Sequence, residues 1–292
     1  MKFTSLIYPL IKKLYSHLPL KKGICLILRT FPAKHKFYKD FRFHGNFKVR
    51  MGNEFLILGN WGGSIENEIF WKGLYGWEGE SIKLWIQEVR KANVIFDVGA
   101  NTGIYALIAH RLNPKAKVYA FEPVDYTYQR MLENFSKNQA TIHPSDFALS
   151  DVTGISTIYE TVDTNQTSSS LSPDKSKNWE GFKGELIEKQ IRAIRLDDFM
   201  AREELTELSL MKIDVEMFEP QVLMGMGEWL KEHRPKMLIE ILTPKVADQV
   251  SALIDGLGYH IYHVHDEHGP QKVDRITARP IHWNYFLTIS EL

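Results

Sequence analysis

From residue 94 onward the chain alternates short apolar runs with stretches of helical periodicity. Val94-Ile95-Phe96-Asp97-Val98 is continuous enough to be a strand buried on both faces. Gly103 to Leu112 reads as a helix, Lys117 to Phe121 as a second strand and Tyr126 to Asn138 as a second helix. Thr141-Ile142-His143 opens a third strand, and Leu210 to Val215 and Met237 to Ile241 supply two more. Strands and helices at this spacing imply βαβ units and right-handed crossovers, hence an α/β fold with a doubly wound, mostly parallel sheet. Two stretches break the rhythm. Residues 151–196 read as strands around a polar loop from Asn165 to Ser172, an antiparallel insertion. Residues 259–265 and 283–289 read as two final strands that pair as a C-terminal hairpin at the sheet edge. Upstream, residues 41–58 suggest short strands, 59–79 are rich in Gly and Trp, and Glu80 to Lys91 has Ile82, Trp85, Ile86 and Val89 on one helical face. The expected division is an N-terminal extension over 1–64 and one domain over 65–292.

Charge changes this picture only at the N-terminus. Lys and Arg together number 36, as do Asp and Glu, so no net field selects nucleic acid. Residues 1–39, however, hold eight Lys and one Arg and no acid, with apolar residues between them. Neither apolar run there approaches the roughly 20 residues that span a bilayer, and no secretory cleavage signal follows. The segment is either a helix packed on the protein with its lysines in solvent, or a peripheral contact with an anionic membrane. Cys25 is the single cysteine, which rules out an intrachain disulfide and a cysteine-based zinc site. The expected location is cytoplasmic, with peripheral contact at the inner membrane face as the alternative. Asn165-Gln166-Thr167 fits a glycosylation sequon, but with no secretion signal it reads as a polar loop.

The candidate chemistry lies at the first strand end. In an open parallel sheet, ligands bind beyond the carboxyl ends of the strands. Here that end is Asp97-Val98-Gly99-Ala100-Asn101-Thr102-Gly103, where Gly99 permits a tight turn and Gly103 a close helix start. Glu122 ends the next strand nineteen residues after Gly103, the place of an acid that accepts from a ribose diol. An adenosine-containing ligand is implied. The spacing G-x-x-x-G differs from the dinucleotide pattern, and acidic Asp97 suits no phosphate. It does suit the ammonium and sulfonium of S-adenosylmethionine. The plain alternative is a structural turn with a chance acid downstream.

Val94 to Gly103, Ala120-Phe121-Glu122-Pro123, Leu196-Asp197-Asp198-Phe199, Leu210 to Glu219 with Glu240, and Trp283-Asn284-Tyr285-Phe286 together resemble the FkbM-type methyltransferase family over about residues 65–289. The resemblance implies a seven-stranded, Rossmann-like methyltransferase sheet and S-adenosylmethionine-dependent O-methylation of sugars or natural products. By position it places Asp97, Gly99 and Asn101 at the cofactor's methionine end, Thr102 and Gly103 also in the cofactor-binding loop, and Glu122 on the ribose. Asp146 and Phe147 would flank the adenine, and Glu78 resembles an upstream acid that closes over the cofactor. Met217 departs from the pattern, because the family usually has Gly after the second acid of its K-I-D-x-E segment. Its side chain is expected in or beside the acceptor pocket.

Asp214 and Glu216 follow the fourth strand, where the resemblance puts the reacting centre. As i and i+2 they share a face if the strand continues that far. Either could take the acceptor proton. With Glu240 they could instead hold Mg²⁺, for which the sequence offers no further support, and no metal-ligating residues are assigned. The plain reading is that Asp214 anchors the cofactor and Glu216 caps a loop. His263, His265 and His268 invite a metal but lack a clear carboxylate partner and read as edge-strand residues. Trp61, Trp71, Trp77 and Trp85 could stack on a sugar or pack the core. The expected acceptor is a small molecule or glycan hydroxyl. The rival functions are an NAD-dependent oxidoreductase and a non-catalytic adenosine-ligand-binding protein of the same fold.

Overall fold

The computed structural model describes residues 15, 20–30, 41–161, 169–170 and 186–292. Most of the basic 1–39 segment, with its membrane reading, and the Asn165 sequon lie outside these residues. The chain divides into two compact units, residues 1–77 and 78–292.

The first unit holds helix α1 (Lys21–Arg29), the antiparallel hairpin β1 (His44–Met51) and β2 (Glu54–Trp61), and helix α2 (Ser64–Lys72). Aromatic rings knit it together. Phe70 of α2 meets Phe43 at 4.6 Å and Phe47 at 5.5 Å, edge to face. Residues 65–77, grouped with the following domain by sequence, fall in this unit through those contacts. Cys25 of α1 is buried within bonding distance of the Tyr15 hydroxyl, whereas Leu20 and Ile27 stay exposed.

The second unit begins with α3 (Gly79–Val89) and then alternates as expected: β3 (Val94–Val98), α4 (Ile104–Leu112), β4 (Lys117–Phe121), α5 (Asp125–Lys137), β5 (His143–Ser145). There follow β6 (Ala148–Ser150), β7 (Gly154–Thr161), β8 (Ser169–Ser170), β9 (Leu186–Arg195), α6 (Leu196–Arg202) and β10 (Leu210–Ile213). The unit closes with α7 (Glu219–Met224), α8 (Trp229–His233), β11 (Lys236–Glu240), α9 (Pro244–Ile254), β12 (His260–His265), β13 (Gly269–Val273) and β14 (Asn284–Thr288). Every residue of β3 and β10 is buried, which is why these strands read as unbroken apolar runs. α9 starts where Thr243 accepts the Val246 N–H, with Pro244 in the first turn.

The main sheet runs β13-β12-β14-β11-β10-β3-β4-β5. β11, β10, β3, β4 and β5 pair in parallel. β14 runs antiparallel to both neighbours and sits between β11 and β12. The sheet is therefore α/β and doubly wound, with eight strands rather than seven. The extra edge strand, β13, forms the true hairpin with β12. The two stretches expected to form that hairpin do pair, but the last one inserts into the sheet, where Tyr285, Phe286 and Leu287 bury completely or nearly so. β6 to β9 form a second sheet of order β6-β9-β7-β8, antiparallel except for the β6–β9 pair. One core of Val, Ile, Leu, Met and Phe side chains packs around β3, β10 and β11.

Candidate active site

The carboxyl ends of β3, β4, β10 and β11 lie on one rim of the sheet because the strands are parallel. Asp97, next to last in β3, is buried. Its Oδ2 accepts the Ala106 N–H of α4 at 2.9 Å, and its Oδ1 is buried with no hydrogen-bond partner. Burial pushes this carboxyl up to about 6, against the pull of Lys212. Gly99 has φ 76°, and a Cβ there would lie 1.9 Å from the Asp214 carbonyl oxygen. The glycine thus serves the contact between the β3 and β10 loops as well as the turn. Asn101 is left-handed at φ 51°, and its N–H donates to Glu122 Oε2 at 2.9 Å. The Thr102 carbonyl accepts from Asn134 of α5. Gly103, φ 80°, lets α5 approach: a Cβ would meet the Phe135 ring at 2.5 Å.

Glu122 is buried at the end of β4, and its Oε1 accepts the Val124 N–H at 3.0 Å. An ionised carboxylate has about four acceptor sites, so two backbone donors leave room for two hydroxyls. Burial raises its pKa to about 7, with the two backbone N–H groups pulling the other way. The Glu122 N–H donates to the Ser145 carbonyl, which sets Asp146 and Phe147 next along the rim. Asp146 is exposed and paired with Arg192. Phe147 packs on the core, 5.9 Å from Phe121 and 6.0 Å from Phe199.

A second group gathers where β10 ends. The strand stops at Ile213, so Asp214 and Glu216 do not share a strand face. The backbone turns through left-handed Glu216, φ 58°, and Met217, φ 76°. Asp214 Oδ2 takes a hydrogen bond from Lys212 Nζ at 2.8 Å. Burial opposes the Lys212 charge, but Asp214, Asp97 and Glu78 outweigh it and raise its pKa. Lys212 also lies 4.9 Å over the Tyr105 ring. Glu78, left-handed at φ 44° just before α3, accepts from the Tyr105 hydroxyl at 2.7 Å and bonds Asn284. Its carboxyl is raised by burial and Asp214 against Lys212. Glu240, at the end of β11, is buried and has an Oε2 with no hydrogen-bond partner. Burial, then Asp214, Glu216, Glu78 and Glu219, hold its pKa far above the ordinary range. Glu78, Asp214 and Glu240 each bring one oxygen within 4.8 Å of the others. Glu216 is not in that trio. Buried Glu219 fixes the turn, because its Oε1 accepts the Val215 and Met217 N–H groups at 3.2 Å.

Most of this rim falls within a known domain, with Glu78 and Asn284 outside it. The model of the methyltransferase FkbM domain matches residues 97–265, more than half of the chain. The chain belongs to the FkbM methyltransferase family. It is 26% identical over 197 residues to the 31-O-demethyl-FK506 methyltransferase FkbM of Streptomyces tacrolimicus, covering 60% of this chain and 75% of that one. It is 31% identical over 155 residues to the hexuronic acid methyltransferase AglP of Haloferax volcanii, covering 53% of this chain and 58% of that one. Among solved structures, the FkbM methyltransferase of Methylobacillus flagellatus aligns with a TM-score of 0.43 at 15% identity, over 68% of this chain and 44% of that one.

Met217 sits in a left-handed position, which a glycine adopts without strain and a methionine does not. Its side chain, expected in or beside the acceptor pocket, packs against the main core. Two of the four tryptophans offered as a sugar platform are core residues. Trp71 is buried with its N–H on the Phe41 carbonyl, and Trp85 is buried with its N–H on the Tyr105 carbonyl. The histidines stack on one another: His265 lies 4.6 Å from His268 and 4.1 Å from His282, and His263 Nε2 bonds the His282 carbonyl. Sequence reasoning gave no role to Lys212, Tyr105, Glu219 or Asn284. A lysine inside an apolar strand was the available signal for Lys212. Tyr105 and Asn284 join the site only through tertiary contacts.

Proposed function

We propose that this FkbM-family chain transfers the methyl group of S-adenosylmethionine to a hydroxyl of a small molecule or glycan. One observation carries the cofactor half: buried Glu122, at the end of β4, is tied to the β3 loop and keeps acceptor capacity for a ribose diol. The remaining residues fit the same group. The unpartnered Asp97 Oδ1 suits a cationic methionine end and repels the pyrophosphate of NAD, which disfavours the oxidoreductase reading. In this assignment Gly99, Asn101, Thr102 and Gly103 shape the loop under the methionine end. Asp146 and Phe147 flank the adenine, and Glu78 closes over the methionine end.

When bound, S-adenosylmethionine supplies an electrophilic methyl on a sulfonium, and the C–S bonding pair leaves on sulfur. Asp214 and Glu216 stand on the loop after β10, beside that end of the cofactor site. Their task is to orient the acceptor hydroxyl and take its proton. Glu219 holds their loop in its left-handed turn. The names of two relatives support this acceptor class: one is a methyltransferase of a 31-O-demethyl natural product, which favours oxygen, and the other a methyltransferase of a hexuronic acid, which favours a sugar. No described helix is long and apolar enough to cross a membrane.

The test is to incubate the full chain with S-adenosylmethionine labelled in its methyl group and a panel of glycans, uronic acids and hydroxylated natural products. The expected result is one labelled methyl as an ether on a hydroxyl oxygen of one class. Label on nitrogen, or as an ester on a carboxylate oxygen, would overturn the hydroxyl acceptor, and oxidised product formed with NAD would overturn methyl transfer itself.

A further inference from the structure

Three separate stretches of chain converge on one point. Glu78 precedes α3, Asp214 follows β10 and Glu240 ends β11, yet each offers an oxygen within 4.8 Å of the other two. Oxygens that share one Mg²⁺, Mn²⁺ or Ca²⁺ ion at about 2.0–2.6 Å lie no more than about 5 Å apart. The spacing therefore fits a common ion.

A second observation points the same way. Glu240 is buried and its Oε2 accepts no hydrogen bond. A buried carboxylate oxygen without a donor is costly unless something else compensates it. Lys212, whose Nζ is bonded to Asp214 Oδ2, gives Glu240 Oε2 no hydrogen bond.

We propose that Glu78, Asp214 and Glu240 bind one hard divalent cation at the rim, next to the methyl-transfer site. The all-oxygen donor set selects Mg²⁺, Mn²⁺ or Ca²⁺ over a softer metal. The trio includes Asp214, which the proposed function sets beside the acceptor hydroxyl. There a cation makes a hydroxyl proton easier to remove. The ion's role rests on the methyltransferase reading, but its binding does not.

The experiment uses the full chain, stripped with EDTA, desalted and titrated with Mn²⁺ while the electron paramagnetic resonance signal of the free ion is followed. One ion per chain should be taken up and then displaced by Mg²⁺. Glu240→Gln and Glu78→Gln should each weaken uptake at least about tenfold while the melting temperature shows the fold intact. Absence of uptake by the unaltered chain up to about 1 mM, the weak end for protein sites, would overturn the proposal. So would uptake that neither substitution affects. A parallel titration with S-adenosylhomocysteine separates the two readings. Binding of S-adenosylhomocysteine that persists with Mn²⁺ bound supports an ion and a cofactor held together at the rim. Competition between them means that the trio holds the cofactor's ammonium, which removes the cation and leaves the methyltransferase. Failure of S-adenosylhomocysteine to bind in either condition removes the methyltransferase reading, and the Mn²⁺ result still decides the ion.

Discussion

Glu122 is held at the end of β4 by burial and by the N–H groups of Asn101 and Val124. Its pKa of about 7 in the fold lies above the ordinary 4.5. The stability that its neutral form contributes is therefore complete below about 4.5 and is lost as pH rises through about 7. Asp97, raised from 3.8 to about 6, acts with the same sign. The ligand-free protein should melt at lower temperature as pH climbs through this window, and Glu122→Gln should flatten the fall. Binding should move oppositely, since only the ionised carboxylate accepts from both ribose hydroxyls. Affinity for S-adenosylhomocysteine should increase between pH 6 and 8, a span chosen to bracket that pKa of about 7. Charged hydrogen bonds contribute about 1.5–3 kcal/mol each, so Glu122→Ala should weaken binding at least tenfold at the upper end. A flat pH profile with an unchanged dissociation constant in the variant would place the ribose elsewhere. Glu122 could be found from sequence because its signal is local: a strand end at a set distance from a glycine loop. Glu240 and Lys212 could not be paired with Glu78 that way. Their meeting depends on three elements far apart in the chain.

The loops after β3 and β10 meet at Gly99, where the Asp214 carbonyl leaves no room for a side chain. Gly258 has nearly the same φ, 77° against 76°, but nothing lies within 4 Å of its missing Cβ. The pair separates backbone strain from packing. Gly258→Ala should cost about 1 kcal/mol of stability, the left-handed penalty alone. Gly99→Ala should add about 1–3 kcal/mol for the clash and should also weaken cofactor binding, because the loops must part. Urea unfolding of both variants measures this. Equal losses would show that the loops do not need their close contact. A glycine's demand for a turn was evident in the sequence, but the atom it makes room for was not. The end of β10 shows the same limit. Apolar Val215 extended the strand by pattern, whereas the chain leaves the sheet after Ile213 and turns left-handed at Glu216. Glu219 organises that turn by accepting the Val215 and Met217 N–H groups, contacts that no periodicity reveals.

Over the whole chain, the βαβ alternation from Val94 to Phe121 was legible because strands buried on both faces read as apolar runs. Strand order was not. β14 pairs with β11 and β12, so the last strand enters the sheet and β13 takes the edge. That insertion sets Asn284 opposite Glu240, and Asn284 in turn bonds Glu78. The acidic cluster is thus a product of topology, whereas the loop from Asp97 to Gly103 with Glu122 is a product of local sequence. The loop, Glu122, Asp214 and Glu240 fall within the residues matched by the FkbM domain, whereas Glu78 and Asn284 lie outside them. If this rim binds S-adenosylmethionine, calorimetric titration of the full chain with S-adenosylhomocysteine and, separately, with NAD tests it most directly. One saturable S-adenosylhomocysteine site per chain and no comparable heat from NAD is the expected result; tighter binding of NAD would contradict cofactor binding at this rim.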